Sequence, residues 1–132
     1  MAKLIFLLKR KPGMSKEAFR AHYEASHVKL AEKYIGHLLT GYHRNYPVFA
    51  SLNPSDQPAG NEVAPYDFGY DAVTEMRVKD DASLAEISRI FNDPAIQPIL
   101  MADELRFLDR PSTVMLVCEE TQSAGGSPAV RG

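Results

Sequence analysis

Apolar residues recur in short patterned blocks, set apart by polar and turn-forming stretches. Lys3 to Lys9 reads K-L-I-F-L-L-K, a short apolar run bounded by charges, which suits a strand buried on both faces. Pro12-Gly13 then signals a turn. Ser15 is a good N-cap, and Glu17 places negative charge in the first helical turn. From there to Tyr34 the period is helical. Phe19, Tyr23, Leu30 and Tyr34 fall on one face, with Ser26 and His27 on it and His22 at its edge. Lys16, Arg20, Glu24, Lys29 and Lys33 lie largely elsewhere, and Gly36 suits a C-cap.

His37 to Val48 predicts a second strand. One face carries His37, Leu39, Gly41, His43 and Asn45; the other carries Leu38, Thr40, Tyr42, Arg44 and Tyr46. Pro47 and the stretch 53–65 break this pattern and predict a long loop, a feature that is often functional in compact domains. Tyr66 to Val78 predicts a third strand. Leu84, Ile87, Ile90 and Phe91 form a helical stripe, and Asn92-Asp93-Pro94 ends that helix and starts another through Ile96, Leu100 and Leu105. Thr113 to Cys118 predicts a last strand. Residues 122–132 are small and polar and predict a disordered tail after a single domain over 1–121.

Strand, helix, two strands, helix, strand is the ferredoxin-like βαββαβ order of an α+β fold. Helices would cover one face of a four-stranded antiparallel sheet. The other face keeps Ile, Leu, Val and Met side chains, and such a face predicts a partner. Two sheets packed face to face make a dimeric α+β barrel, so the expected assembly is a homodimer through the sheet face.

Composition narrows the function. With 132 residues and a formal net charge of -2, the chain lacks the basic excess of a nucleic-acid binder. The third strand reads Y-D-F-G-Y-D-A, too acidic for an RNA-recognition module. Cys118 is the one cysteine, so an intramolecular disulfide and a CxxC site are both excluded; a small buried hydrophobe is its expected role. No apolar run is long enough for a membrane span, so the expected location is cytoplasmic. No GxGxxG, GxxxxGK[ST] or GxSxG motif is present, and no cofactor is expected.

His27 is the sharpest candidate for chemistry. It lies on the core-facing side of the first helix, where a neutral imidazole can act as general acid or base; the plain alternative is a core histidine capped by a backbone carbonyl. Asp71 and Glu75, with Asp67, share one face of the third strand. Either they form a solvated face or one of them orients His27. His43 and Arg44 point to opposite faces of the second strand, so at most one shares a site with His27. His22 and His27 are five apart, not the i, i+4 spacing of a helical metal pair, and no metal site is expected. Tyr23, Tyr42 and Tyr70 either line an aromatic pocket or pack a core or interface.

Residues 7–27, L-L-K-R-K-P-G-M-S-K-E-A-F-R-A-H-Y-E-A-S-H, resemble the opening of EthD-domain proteins. There a first strand runs through a Pro-Gly turn into a helix bearing an aromatic residue and a later histidine, positions matched by Tyr23 and His27. Residues 70–78 resemble the family's third strand with its Asp and Glu, and residues 103–120 its closing segment. The resemblance implies a dimeric α+β barrel with a pocket between sheet and helices, walled by Tyr23 and His27, with the loop 49–66 over its mouth. That wider group is similar in fold to cofactor-independent cyclases, muconolactone-type isomerases, quinone-forming monooxygenases and haem-binding proteins. The leading expectation is a cofactor-free lyase, cyclase or isomerase acting on a small aromatic or lactone-like carbonyl compound. His27 would move a proton, Asp71 or Glu75 would tune it, and Tyr23 or Tyr70 would hold the oxyanion, with Tyr42 and His43 as further binding residues. The alternatives are a non-catalytic accessory or binding protein for a hydrophobic metabolite or a partner oxygenase, and a cofactor-free monooxygenase; haem binding is a weaker fourth.

Overall fold

The computed structural model describes residues 2–54, 56 and 64–123. Residues 124–132 lie outside it, and so does most of the expected tail. Strand β1 spans Ala2–Leu8. Lys11 to Met14 close a β-turn through Met14 N–H to Lys11 C=O at 3.1 Å. Pro12 sets its first φ and Gly13 takes φ 82°, which a side chain would disfavour. Ser15 caps helix α1 (Lys16–His22), accepting from Ala18 N–H at 3.0 Å.

The first helix is not uniform. A π-helical turn over Tyr23–His27 separates α1 from α2 (Val28–Ile35). Strand β2 (Leu39–Asn45) follows a single turn of 3-10 helix at Gly36–Leu38, so the second strand is shorter than its pattern predicts. Within the expected loop, β3 (Ser51–Leu52) and β4 (Ala64–Pro65) pair as a small ribbon. Residues 55 and 57–63 between them lie outside the described residues.

Strand β5 spans only Ala72–Val78, not the expected 66–78. Helix α3 (Asp81–Phe91) is capped by Asp80, which accepts from Ser83 N–H. Helix α4 (Gln97–Phe107) starts later than Asp93-Pro94 suggests, because Asp93 instead closes a turn onto Ala95 N–H. Strand β6 is Val114–Glu119.

The main sheet has the order β2-β5-β1-β6, with each neighbouring pair antiparallel. This is an α+β, ferredoxin-like arrangement. Alternation along β5 buries Ala72, Thr74, Met76 and Val78 against the helices. The helix side holds two apolar clusters. One contains Leu4, Ala31, Ile35, Met76, Val78, Ile87 and Ile90. The other contains Leu8, Phe19, Tyr23, Val28, Ala72, Phe107 and Leu108. Phe6 and Tyr42 pack against both.

On the opposite face, register aligns Ile5 with Leu116 and Leu7 with Val73 and Val114. Glu75, Lys3, Arg77 and Glu120 form ion pairs there. Cys118 shares that face and is only partly buried, so it is not the core hydrophobe expected. Among the described residues no helix is long and apolar enough to cross a membrane.

Candidate active site

A cavity of about 380 Å³ lies between the sheet and the helices, at the seam of the two clusters. Its wall is mostly apolar, with Phe6, Leu8, Met76, Phe91, Leu100 and Met115 among its lining residues. The polar groups in the wall include His27, Tyr23 and Tyr42, with Glu104 and Arg110 paired at 3.1 Å. Polar groups converging in a largely apolar pocket of this size are the usual pattern of a small-molecule site.

His27 is not capped by a backbone carbonyl. Its Nδ1 lies 3.0 Å from Oδ2 of Asp103, a residue of α4 that is 6% exposed. The other carboxylate oxygen accepts from Ser26 Oγ at 2.7 Å and meets His22 Nε2 at 3.0 Å. Burial alone would raise the Asp103 carboxyl. Hydrogen bonds from Ser26, His27 and His22 outweigh it and hold the group below its ordinary value. An ionised carboxylate only accepts, so both imidazole nitrogens facing it carry hydrogen. In the neutral ring His27 is therefore protonated at Nδ1, and Nε2 keeps its lone pair.

The π-helical turn makes this possible. In an α-helix, residues five apart are separated by about 140° around the axis. Here Val28 N–H donates to Tyr23 C=O, five residues back, and the widened turn brings His22 and His27 to one side, toward α4. Such turns recur at functional sites. Asp103 was not legible beforehand, because it reads as one polar residue in a weakly patterned helix.

Three hydroxyls form a second group. Tyr23 OH lies 2.7 Å from Thr74 Oγ1 and 3.3 Å from Tyr42 OH. Burial raises both phenols, so both keep their protons. Arg44 stacks over the Tyr42 ring with its guanidinium carbon at 4.8 Å and binds Glu24 at 2.7 and 2.9 Å. Tyr46 also donates to Glu24. The Arg44 hydrogen bonds draw the Glu24 carboxyl down to about 2, against burial and with help from Tyr46. Its folded value lies below the ordinary 4.5, so the stabilisation is present above about pH 4.5 and is lost as pH falls through about 2. Glu24→Gln is expected to lower Tm at neutral pH. The gap to wild type closes between pH 4.5 and 2; a gap that is unchanged at pH 2 contradicts this.

Several expected site residues lie elsewhere. Asp71 precedes β5 and accepts from Arg10 N–H at 2.9 Å. Glu75 sits on the open face of the sheet, bound to Arg77 at 2.6 Å. Neither orients His27, because alternation along β5 turns Thr74 and Met76 to the helices instead. Asp67 accepts from Gly69 N–H in the loop before β5. His43 is exposed on the open face, paired in register with Glu75. Tyr70 packs on Phe68 at 5.3 Å and lines a separate surface recess with Pro47 to Ala50. From the described parts of the 49–66 loop, Phe49, Ala50, Pro65 and Tyr66 line that recess, and none of the described loop residues lines the cavity. Tyr23, Tyr42 and His27 all line the one cavity. Among the described residues no three His, Cys, Asp or Glu side chains are placed to hold a metal ion.

Comparison with known proteins agrees with this architecture. A protein of Bacillus halodurans C-125 described as an EthD family protein has 23% identity and a TM-score of 0.58, covering 92% of this chain and 99% of its own. A protein of Arabidopsis thaliana has 17% identity and a TM-score of 0.58, covering 94% of this chain and 99% of its own. A Bacteroides fragilis protein described as dimeric, of unknown function and ferredoxin-like fold, has 9% identity and a TM-score of 0.52, with 90% and 95% covered. At these identities the likeness concerns the fold. No curated protein matches. The EthD domain model matches residues 11–111, so the chain belongs to the EthD-domain family.

Proposed function

We propose that the protein is a cofactor-independent enzyme using acid–base catalysis, of lyase, cyclase or isomerase type, on a small cyclic or aromatic carbonyl compound. The observation that carries this reading is the His27–Asp103 pair in the wall of the apolar cavity. Asp103 fixes the ring tautomer and stabilises the imidazolium, leaving Nε2 to remove a proton from the carbon beside the carbonyl. The C–H electron pair moves into an enolate, whose oxygen needs a donor.

Tyr42 fits that role. Three hydroxyls supply three hydrogens, and their two mutual contacts use two. With Thr74 donating to Tyr23 and Tyr23 to Tyr42, the Tyr42 hydrogen is left for a ligand. Tyr42→Phe is expected to lower turnover about a hundredfold. Tyr23→Phe instead leaves the fully buried Thr74 hydroxyl without its partner and costs about 1–2 kcal/mol of stability. Equal kinetic losses in the two variants would count against Tyr42 as the donor.

Solvent deuterium uptake tests the whole reading. A panel of cyclic aryl ketones and lactones with an acidic α-hydrogen is incubated in D2O with wild type and with His27→Gln. Exchange by wild type alone supports the enzyme. Tight binding of a panel member, recovered without deuterium, favours the non-catalytic binding protein.

The assembly we propose is a homodimer through the open sheet face. Ile5, Leu7, Val73, Val114 and Leu116 give that face an apolar centre, and Leu116 is 41% exposed. The Bacteroides neighbour of the same fold is described as dimeric, which supports a dimer; the choice of face rests on the apolar centre of this sheet. Leu116→Glu is expected to convert a dimer to a monomer by light scattering; a variant that remains dimeric contradicts it.

A further inference from the structure

We infer that His22 is a positioning residue for His27, acting through the carboxylate they share. This rests on the acid–base reading of His27 and extends it to a residue whose contacts lie behind that pair. Three observations carry it. The π-helical turn places His22 on the same side as His27 despite the five-residue spacing. Ser26 Oγ and His22 Nε2 both reach Oδ1 of Asp103, while Oδ2 is met by His27 Nδ1. Phe107, also from α4, packs on both imidazole rings, with centroids 4.9 Å from His22 and 5.3 Å from His27.

One carboxylate thus serves three donors. Its charge is divided among them, so the pull on an imidazolium at His27 depends on what His22 takes. Losing the His22 N–H leaves more of that charge to His27 and raises its proton affinity. The other groups facing the cluster stay in place. Lys29, Lys33 and Arg106 line a shallow groove with Ser26 and Asp103 on the outer side of the helices. Glu104 and Arg110 pair at the cavity, and the Tyr23 and Tyr42 phenols are protonated.

The chain has four histidines, and the exposed His37 and His43 serve as internal references in an NMR titration that needs no substrate. In His22→Ala the His27 midpoint is expected to rise by about half a pH unit, a threefold gain in proton affinity. In His22→Gln, whose amide replaces the donated N–H, it returns toward wild type. His22→Asn is too short to reach Asp103 and gives the alanine result should alanine unfold the chain. The role is overturned if the His27 midpoint stays unchanged, falls, or moves together with His37 and His43, or if Gln behaves like Ala. A protein that turns over no carbonyl compound leaves this titration intact. A flat titration, in turn, leaves the His27–Asp103 pair standing.

Discussion

Asp103→Ala is expected to lower the unfolding free energy by about 3 kcal/mol, the usual cost of removing one partner from a buried charged network. The alanine leaves the Ser26 hydroxyl and two imidazole N–H groups facing a void. Each buried donor left unpaired costs about 1–3 kcal/mol, and the three losses are not additive. Asp103→Asn keeps the shape but sets an amide N–H against one of the three donors, so it recovers little. The folded-state carboxyl is held below its ordinary 3.8. Its stabilisation is therefore present above about pH 4 and is lost as pH falls through the lowered value. Chemical denaturation at pH 7 and in acid measures both. A neutral-pH loss below about 1 kcal/mol would show that the network contributes little.

His27→Gln is expected to reduce turnover about a hundredfold or more while leaving the fold intact. Its ring is half-buried in a cavity wall rather than packed in the core centre, so stability should change by less than about 1.5 kcal/mol. Asp103→Asn is expected to match that kinetic loss, because an amide donor at position 103 favours the tautomer with the lone pair on Nδ1, turned away from the cavity. The pair separates chemistry from stability: both variants lose activity, and only the Asp103 change also unfolds early. Wild-type turnover in His27→Gln, within about threefold, removes the general-base role.

The strand and helix order was legible because β1 is a short apolar run bounded by charges and the period-3.6 stripes of α1 and α3 are clean. The faces of β2 were readable from Gly41 onward, with Tyr42 toward the helices and His43 on the open face, but the register shift between Leu39 and Gly41 turns Leu39 to the helix side, against the alternation. The start of β5 was not readable. Asp71 has strand-like neighbours, yet its carboxylate is taken by the Arg10 backbone N–H, and the sheet begins one residue later. Glu75 could not be placed from sequence because register alone decides which face it takes. Tyr23 and His27 lay on the helical face that the cavity uses. Asp103 lay outside any pattern, since a residue 76 positions away in sequence supplies it by tertiary contact. The π-helical turn hid the His22 contact for a related reason. An ideal helix separates the two histidines, and only a local insertion in the hydrogen-bond ladder brings them together.

The most direct measurement of the central claim is the tautomer of His27 by 15N NMR on the labelled protein, above the imidazole's titration. A histidine held by Asp103 for base catalysis carries its hydrogen on Nδ1, with Nε2 unprotonated, and it changes tautomer in Asp103→Asn. A hydrogen on Nε2 in the wild type would leave no lone pair facing the cavity and would contradict the acid–base account.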